Sequence, residues 1–398
     1  MHRHKICLVS HIFPCNGHDY KGIFVRDLAV ALRQRGHEVH VVTPMRPGAA
    51  KEEIFKGVHV HRYEYWGWRK GTQLGQLKPT PILLLGSLIA LGIIKCLKSI
   101  YTYHLNLIHA YWVVPSGLIS LIVGRLTRRP VIATAAGSDL TVAPQHRLVR
   151  LCLAFTLKHI GRLLPVSTSM KKLAVELGLP EHKATVIHGP VGIDTAVLSG
   201  TPQRPLSGQQ ARSLVYVGNL APPKRADTII RAMPKVVGMC PDCHLILIGE
   251  GGLRAPLEAL ADQLGVRKHV HFRGALAHEE VLRVLQEADL FVHCSDHEGL
   301  GIAIMEAMGA SLPVVASRVG GVTDLVQEGE TGFMLSPNDV DGYANMILLL
   351  LRDHRLRERL GASGHRFAVS HLSKDTILTQ LETVYRELSD INKARSVR

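Results

Sequence analysis

The sequence predicts an α/β protein made of two doubly wound domains, each a parallel sheet with helices on both faces. Three observations lead there. Apolar runs of strand length alternate with helical patterns through almost the whole chain, and continuous apolar strands separated by helices mark sheets buried on both sides. The alternation occurs twice, on either side of a stretch rich in Pro, Gly, Ser and Gln. A chain of 398 residues is also long enough for two domains with separate cores.

In chain order, the expected strands of the first half are KICLVSHIF, HEVHVVT, VHVHRY, LNLIHAYW, PVIATAA and GRLLPVS. Helices fall between them. In IFVRDLAVALRQRG, for example, Ile23, Leu28 and Leu32 recur at helical spacing and the pattern stops at Gly36. LSGTPQRPLSGQQARS lacks periodicity and reads as a linker. The second half repeats the scheme with SLVYVGNL, HLILIGE, HVHFRG, DLFVHCS, LPVVAS and GFMLSP. From Ser373 to Ser389 a last helical pattern carries Ile377, Leu378, Leu381, Val384, Tyr385 and Leu388 on one stripe. The expected division is a first domain over 1–197, a linker over 198–213, a second domain over 214–372 and a C-terminal helix over 373–398.

Composition excludes several classes. With 46% hydrophobic and 20% charged residues the chain is globular rather than disordered. Seven scattered cysteines, and a start, MHRHKICLVS, that runs straight into a strand, point to a reduced, cytosolic setting without structural disulfides. CPDCH, from Cys240 to His244, has the spacing of c-type haem attachment, but it lies between a helix and an apolar strand, where Pro-Asp makes a routine connection. HCSDH, from His293 to His297, has no second ligand pair at a zinc spacing and reads as packing or site lining.

The net charge of +14 is one-sided. Residues 1–198 hold 25 Lys and Arg against 10 Asp and Glu, whereas residues 199–398 hold 22 against 23. A basic field confined to one half favours an anionic partner: nucleic acid, a phospholipid surface or a phosphorylated acceptor. No recognition motif supports nucleic acid. PILLLGSLIALGII, residues 81–94 between Lys78 and Lys95, is shorter than the roughly 20 residues of a spanning helix and reads as buried or interfacial. Just upstream, Trp66 and Trp68 beside Arg69 and Lys70 suit a membrane interface, with a core helix and surface loop as the equal alternative.

Open parallel sheets bind ligands beyond the carboxyl ends of their strands. The loops there are NGHDYKG, AGSD (136–139), GNLAPPKR (218–225), GEGG (249–252) and SDHEGLG (295–301). In GNLAPPKR, Gly218 allows close backbone approach and Lys224 stands at a helix start, where free N–H groups favour phosphate; the alternative is a plain turn with a solvated lysine. In SDHEGLG, Glu298 sits at a strand end and a helix begins near Leu300. Glu306 follows inside a run of Ile302, Ala303, Ile304, Met305, Ala307 and Met308, where an unpaired carboxylate would be costly. A diphosphate on that helix N-terminus would give Glu298 the group on one side and Glu306, through ribose hydroxyls, the group on the other. GEGG lacks the last glycine of a dinucleotide loop and follows the second strand of its domain, so NAD is not expected.

Together these motifs resemble a known family. EGLGIAIMEAMG is similar to the E-x7-E signature of retaining nucleotide-sugar glycosyltransferases of family 4 (GT4), which adopt the GT-B fold of two facing Rossmann-like domains. GIFVRDLAVALRQRGHEVHVVTP looks like the family's N-terminal loop and helix, and KATVIHGPVGID like its strand leading into an NGVD turn. VGNLAPPKRADTII is similar to the loop written G-[RN]-L-x3-K-G, and LPVVASRVGGVTDLV to the segment after the signature, with Ala310 and Ser311 where Gly is common. The resemblance covers nearly the whole chain.

It implies roles by position. Glu298 would contact the donor sugar near the anomeric carbon, and Glu306 the ribose hydroxyls. Lys224 would neutralise the departing diphosphate, with the backbone N–H groups of Gly301 and Ile302 assisting beside Leu300. Gly218, Asn219 and Arg225 would belong to the same donor loop. Gly22 would let the N-terminal loop approach donor and acceptor, the backbone near Arg273 would hold the base, and Glu250 would line that pocket. The C-terminal helix would cross back to the first domain. Two positions depart from the pattern. Many members carry Arg where Asn219 stands, and Arg225, in place of a common Gly, would compensate. The family's HGSD, whose His touches the donor sugar, is here AAGSD, with Ala136 at the His position and Asp139 left on that side of the catalytic set.

The expectation is a retaining, metal-independent hexosyltransferase with no cofactor beyond a UDP- or GDP-sugar donor. Its acceptor would be a glycan or lipid-linked hydroxyl in polysaccharide biosynthesis. The protein would be cytoplasmic, peripheral at the inner face of the cell membrane through its basic first domain, and would not bind nucleic acid. Two alternatives stand beside it: a nucleotide-sugar 2-epimerase of the same fold, which needs no acceptor, and a nucleotide-sugar-binding protein impaired in catalysis, prompted by Ala136.

Overall fold

The structure, a computed structural model, describes residues 3–15, 19, 22–66, 81–141, 147–189, 191–194 and 212–396. Trp68, Arg69, Lys70, Lys78, most of NGHDYKG and nearly all of the expected linker lie outside the described residues. The chain divides into two compact units: Met1–Val191 with Ile377–Arg398, and Gly192–Thr376.

The first unit holds a seven-stranded sheet of β1 (Lys5–Ser10), β2 (Glu38–Pro44), β3 (Glu52–Phe55), β4 (Val58–Tyr63), β5 (Leu107–Tyr111), β6 (Val131–Ala135) and β7 (Arg162–Pro165). Its order is β3-β4-β2-β1-β5-β6-β7, parallel throughout except for β3, which runs antiparallel to β4. The sequence reading lacks β3, because EEIF is short and begins with two glutamates, so it presents no apolar run. Those glutamates have partners in the fold. Glu53 accepts from the buried Arg62 at 2.8 Å, while the guanidinium also donates to the carbonyls of Ala50 and Pro14.

Around this sheet lie α1 (Ile23–Gln34), α2 (Pro81–Tyr103), α3 (Leu118–Thr127), the short α4 (Ser138–Thr141), α5 (Arg147–His159) and α6 (Thr168–Glu176). Helix α2 corrects the sequence reading, which ended the apolar segment at Lys95. It runs 23 residues, because Lys95 turns its ammonium to Glu52 of β3 while Cys96 and Ile100 stay buried on the opposite side. By length and composition it could cross a membrane, with 28% of its apolar window buried in the protein.

The second unit holds six parallel strands: β8 (Arg212–Val217), β9 (Cys243–Ile248), β10 (Val270–Gly274), β11 (Leu290–His293), β12 (Val314–Ser317) and β13 (Gly332–Leu335), in the order β10-β9-β8-β11-β12-β13. Its helices are α7 (Ala226–Met239), α8 (Arg254–Gln263), α9 (His278–Glu287), α10 (Ile302–Gly309), α11 (Val322–Leu325), α12 (Val340–Arg352) and α13 (His354–Phe367). Cys240 follows α7 and the buried Cys243 opens β9, so CPDCH is a helix-to-strand connection. All seven cysteines are free thiols.

Leaving out the edge strand β3, both sheets share the winding of a Rossmann-like fold. The first three strands build outward in one direction and the next three in the other, so the order reverses between β1 and β5 and again between β8 and β11. The last helix, α14 (Lys374–Ser396), puts Ile377, Leu378, Leu381, Val384, Tyr385 and Leu388 into the core of the first unit with Ile6, Leu8, Leu28 and Leu32. Its Tyr385 hydroxyl lies 2.7 Å from His109 Nδ1, and Glu382 pairs with His37 at 3.1 Å.

Candidate donor site in the second unit

The site is built where the order of the second sheet reverses. After β8 the chain leaves through Gly218, Asn219 and Leu220, then makes a tight turn over Pro222–Lys224. Arg225 enters α7 at φ 47°, a left-handed conformation uncommon outside glycine. The loop is braced from β9: a Cβ on Gly249 would lie 2.0 Å from the Gly218 carbonyl oxygen, and one on Gly251 would lie 2.2 Å from that of Leu220. Gly249 and Gly251 of GEGG therefore serve contact between two loops. The turn delivers Lys224 Nζ to within 2.5 Å of Glu298 Oε2.

Glu298 comes from the loop after β11, the strand on the other side of the reversal. That strand ends at His293, whose buried ring places Nε2 3.1 Å from the same oxygen, Glu298 Oε2. An ionised carboxylate only accepts, so Nε2 carries the hydrogen and donates. Nδ1 of the same ring is buried and has no hydrogen-bond partner among the described residues. Burial alone would push the Glu298 carboxyl up. The His293 hydrogen bond and the Lys224 charge outweigh that cost and hold it at about 2.

A third loop, after β12, locks this arrangement. Gly321 N–H donates to the Glu298 carbonyl at 3.0 Å. A Cβ on Gly320, at φ 46°, would sit 2.0 Å from that carbonyl oxygen, so the two backbones touch. Helix α10 then starts at Gly301, whose φ of 102° suits glycine, and its carbonyl accepts from Ile304 and Met305. As at any helix start, the first amides point out of the helix without intrahelical acceptors, next to Lys224 and Glu298.

Other expected residues fall around this centre in different states. Glu306, mostly buried, pairs with His278 Nε2 at 2.8 Å, which supplies the partner its apolar surroundings demanded. Leu300 is buried and Ile302 exposed. Asn219 and Arg273 are exposed, and Glu250 pairs with Arg254 of α8. Arg225, expected to compensate for Asn219, is held by Asp227 at 3.2 Å and Asp296 at 3.3 Å, so its charge is already engaged. Among the described residues no cluster of three or more His, Cys, Asp and Glu side chains is arranged to hold a metal ion.

The two expected residues of the first unit are built into its backbone. Gly22, at φ 77°, starts α1, where a Cβ would lie 2.8 Å from the Ile12 carbonyl oxygen. Asp139 is 4% exposed and spends its oxygens on the amides of Val113 and Gly137, each at 3.0 Å. Burial raises its pKa and these amides oppose the rise. Asp139, expected in the catalytic set, ties the loop that carries Ala136 to Val113 through these bonds. Sequence reasoning missed the two histidines that hold the glutamates. HCSDH was visible as site lining, but nothing near Glu306 in sequence points to His278.

The architecture is that of known sugar-transferring enzymes. HepE of Anabaena, solved with UDP and glucose, superposes with a TM-score of 0.71 at 21% identity, over 96% of this chain and all of that one. WaaG, a glycosyltransferase involved in lipopolysaccharide biosynthesis, superposes with a TM-score of 0.67 at 17% identity, over 94% of this chain and 98% of its own. Likenesses at these identities show the fold: the two Rossmann-like domains are those of a GT-B glycosyltransferase. In sequence, the model for Glycosyltransferase Family 4 matches residues 22–196 and that for group 1 glycosyl transferases matches residues 202–367. The chain belongs to glycosyltransferase family 4. Relatives include the N-acetyl-alpha-D-glucosaminyl L-malate synthase of Bacillus anthracis, 24% identical over 92% of this chain and 93% of the relative. The glycogen synthase of Mycobacterium tuberculosis is 28% identical over 96% and 94%.

Proposed function

We propose that the protein transfers a sugar, with retention and without a metal, from a UDP- or GDP-sugar to a hydroxyl of a glycan or lipid-linked acceptor in polysaccharide biosynthesis. The observation that carries this reading is the meeting of Lys224, Glu298 and the α10 N-terminus at the reversal of the second sheet. A departing diphosphate is an anion, and a lysine ammonium beside outward helix amides is a preorganised place for it. Glu298 Oε2 is held by Lys224 and His293, which orients the carboxylate toward the sugar. Glu306 accepts from ribose hydroxyls when they replace His278. Asn219 and Arg225 line the diphosphate loop, while Glu250 and the backbone near Arg273 border the base. Gly22 and Asp139 support loops of the first domain. Retention proceeds by same-face attack or by double displacement, and either uses this carboxylate.

The HepE structure, with UDP and glucose, supports a nucleoside diphosphate donor. A relative named as a GDP-mannose-dependent phosphatidylinositol monomannoside mannosyltransferase, 32% identical over 47% of this chain and 53% of its own length, supports a lipid-linked acceptor. The seven free thiols fit the cytoplasmic side of a membrane as the workplace. The test is release of nucleoside diphosphate from UDP- and GDP-sugars with a membrane extract as acceptor source. Release by the wild type and not by Glu298→Gln supports transfer. Binding without release supports the impaired binder, and an isomerised nucleotide sugar formed without acceptor supports the epimerase.

A further inference from the structure

Helices α2, α3 and α5 lie side by side on one face of the first sheet, with α3 between the other two. Helix α2 covers the face opposite the one buried under α1 and α14: Cys96 meets Cys7, and Tyr103 packs on His40 at 4.3 Å between ring centres. The outer sides of the three helices share one chemistry. On α2 the exposed stripe is Leu91, Ile94, Lys98 and Tyr101; on α5 it is Leu148, Leu151, Phe155 and Lys158. Leu126 at the end of α3 is 62% exposed, and Arg125 stacks its guanidinium 5.5 Å from the Phe155 ring. No Asp or Glu occurs in any of the three helices, whereas α1 and α14 across the sheet carry Asp27, Glu382, Glu387 and Asp390.

At the edge of this face, between α3 and α5 on one side and Leu388, Ile391 and Asn392 of α14 on the other, opens a cleft of about 480 Å³ bordered by Arg125, Arg128, Arg129 and His159. We propose that this three-helix face docks on an anionic phospholipid bilayer, its leucines and aromatic rings entering the interface and its arginines meeting headgroup phosphates. Exposed apolar stripes flanked by cations and free of anions have the composition of a helix that lies in the membrane plane. Because Leu88, Cys96 and Ile100 are buried against the sheet, α2 offers one side only and lies on the bilayer instead of crossing it. A nucleic acid would use the arginines and leave the leucine stripes in water, so the lipid surface accounts for more of the face.

The inference stands on this face and not on the donor chemistry. The test is flotation of the full chain with vesicles of phosphatidylcholine alone and of phosphatidylcholine with phosphatidylglycerol. The variants are Leu151→Glu with Phe155→Glu, and Ile94→Glu; Ile54→Glu, on the exposed side of β3, is the control. The wild type and the control should bind the anionic vesicles about tenfold more tightly than neutral ones, and the other variants should lose about tenfold on anionic vesicles with unchanged melting temperatures. Equal binding to both vesicle types, or undiminished binding by the variants, overturns the proposal. So does a solution dimer that the variants convert to monomer, because the face would then belong to a second copy. Turnover with a water-soluble acceptor, measured in parallel, separates failure of docking from failure of the proposed activity.

Discussion

Lys224 Nζ and Glu298 Oε2 lie 2.5 Å apart although 74 positions separate them in the chain. They meet because β8 and β11, the strands they follow, are neighbours at the reversal of the sheet. Removing the carboxylate frees the ammonium and strips the sugar side of its acceptor. Glu298→Ala should therefore lower kcat by about a hundredfold or more. Glu306→Ala should chiefly raise KM for the donor, with kcat within a few-fold of wild type. Steady-state kinetics on both variants checks the division, and equal losses would contradict it.

His293 should matter through Glu298. Replacing it with Phe keeps an aromatic ring at the end of β11 and removes a hydrogen bond to a charged group, a loss of about 2 kcal/mol. The expected result is a roughly tenfold or larger fall in kcat/KM, together with an upward shift of the acidic limb of its pH profile as the carboxyl loses a donor that holds it near 2. His293→Gln, which can still donate, should recover part of both. A purely structural histidine would leave the limb where it was.

Gly320→Ala tests the lock on Glu298. The new Cβ would sit 2.0 Å from the Glu298 carbonyl oxygen at a φ of 46°, so one of the two loops must move. A destabilisation of about 2 kcal/mol or more is expected by thermal unfolding, with donor affinity lost alongside.

Acid should reach the two units at different pH. In the first, burial lowers His11 to about 4, burial and then the neighbouring His59 and His61 lower His40 to about 4, and burial lowers His109 to about 3. Their folded values lie below the ordinary 6.5, so the unfolded chain takes up protons first. Their contribution is complete above about 6.5 and is lost as the pH falls toward 4 and then 3. Glu298, held at about 2 against an ordinary 4.5, contributes above about 4.5 and loses that contribution as the pH falls toward 2. All three tryptophans lie in the first 112 residues, so tryptophan fluorescence reports the first unit alone. It should change below about pH 6, before circular dichroism records loss of the second unit.

The parallel strands were readable because each is an apolar run buried on both faces, and their alternation with helices implied the winding. Strand β3 escaped because Glu52 and Glu53 take their partners, Lys95, His61 and Arg62, from α2 and β4, and no local pattern announces such pairing. Helix α2 looked short because Lys95 interrupts the hydropathy without interrupting the helix. At the site, Lys224, Glu298 and Glu306 stood out as charges in strand-end loops or apolar surroundings. His278 did not, because its relation to Glu306 exists only once α9 and α10 pack. Asp139 looked chemical in sequence, and nothing local in the sequence announces the backbone amides of Val113 and Gly137 that it also accepts from.

The six apolar side chains that α14 places in the first unit have a consequence for synthesis. When a ribosome has made the second unit, the first, although translated earlier, still lacks Ile377 through Leu388 and exposes the core beneath them. The older half of the molecule must wait for the newest segment, and a nascent chain cut short near residue 373 would leave the tunnel with its later half closed and its earlier half open.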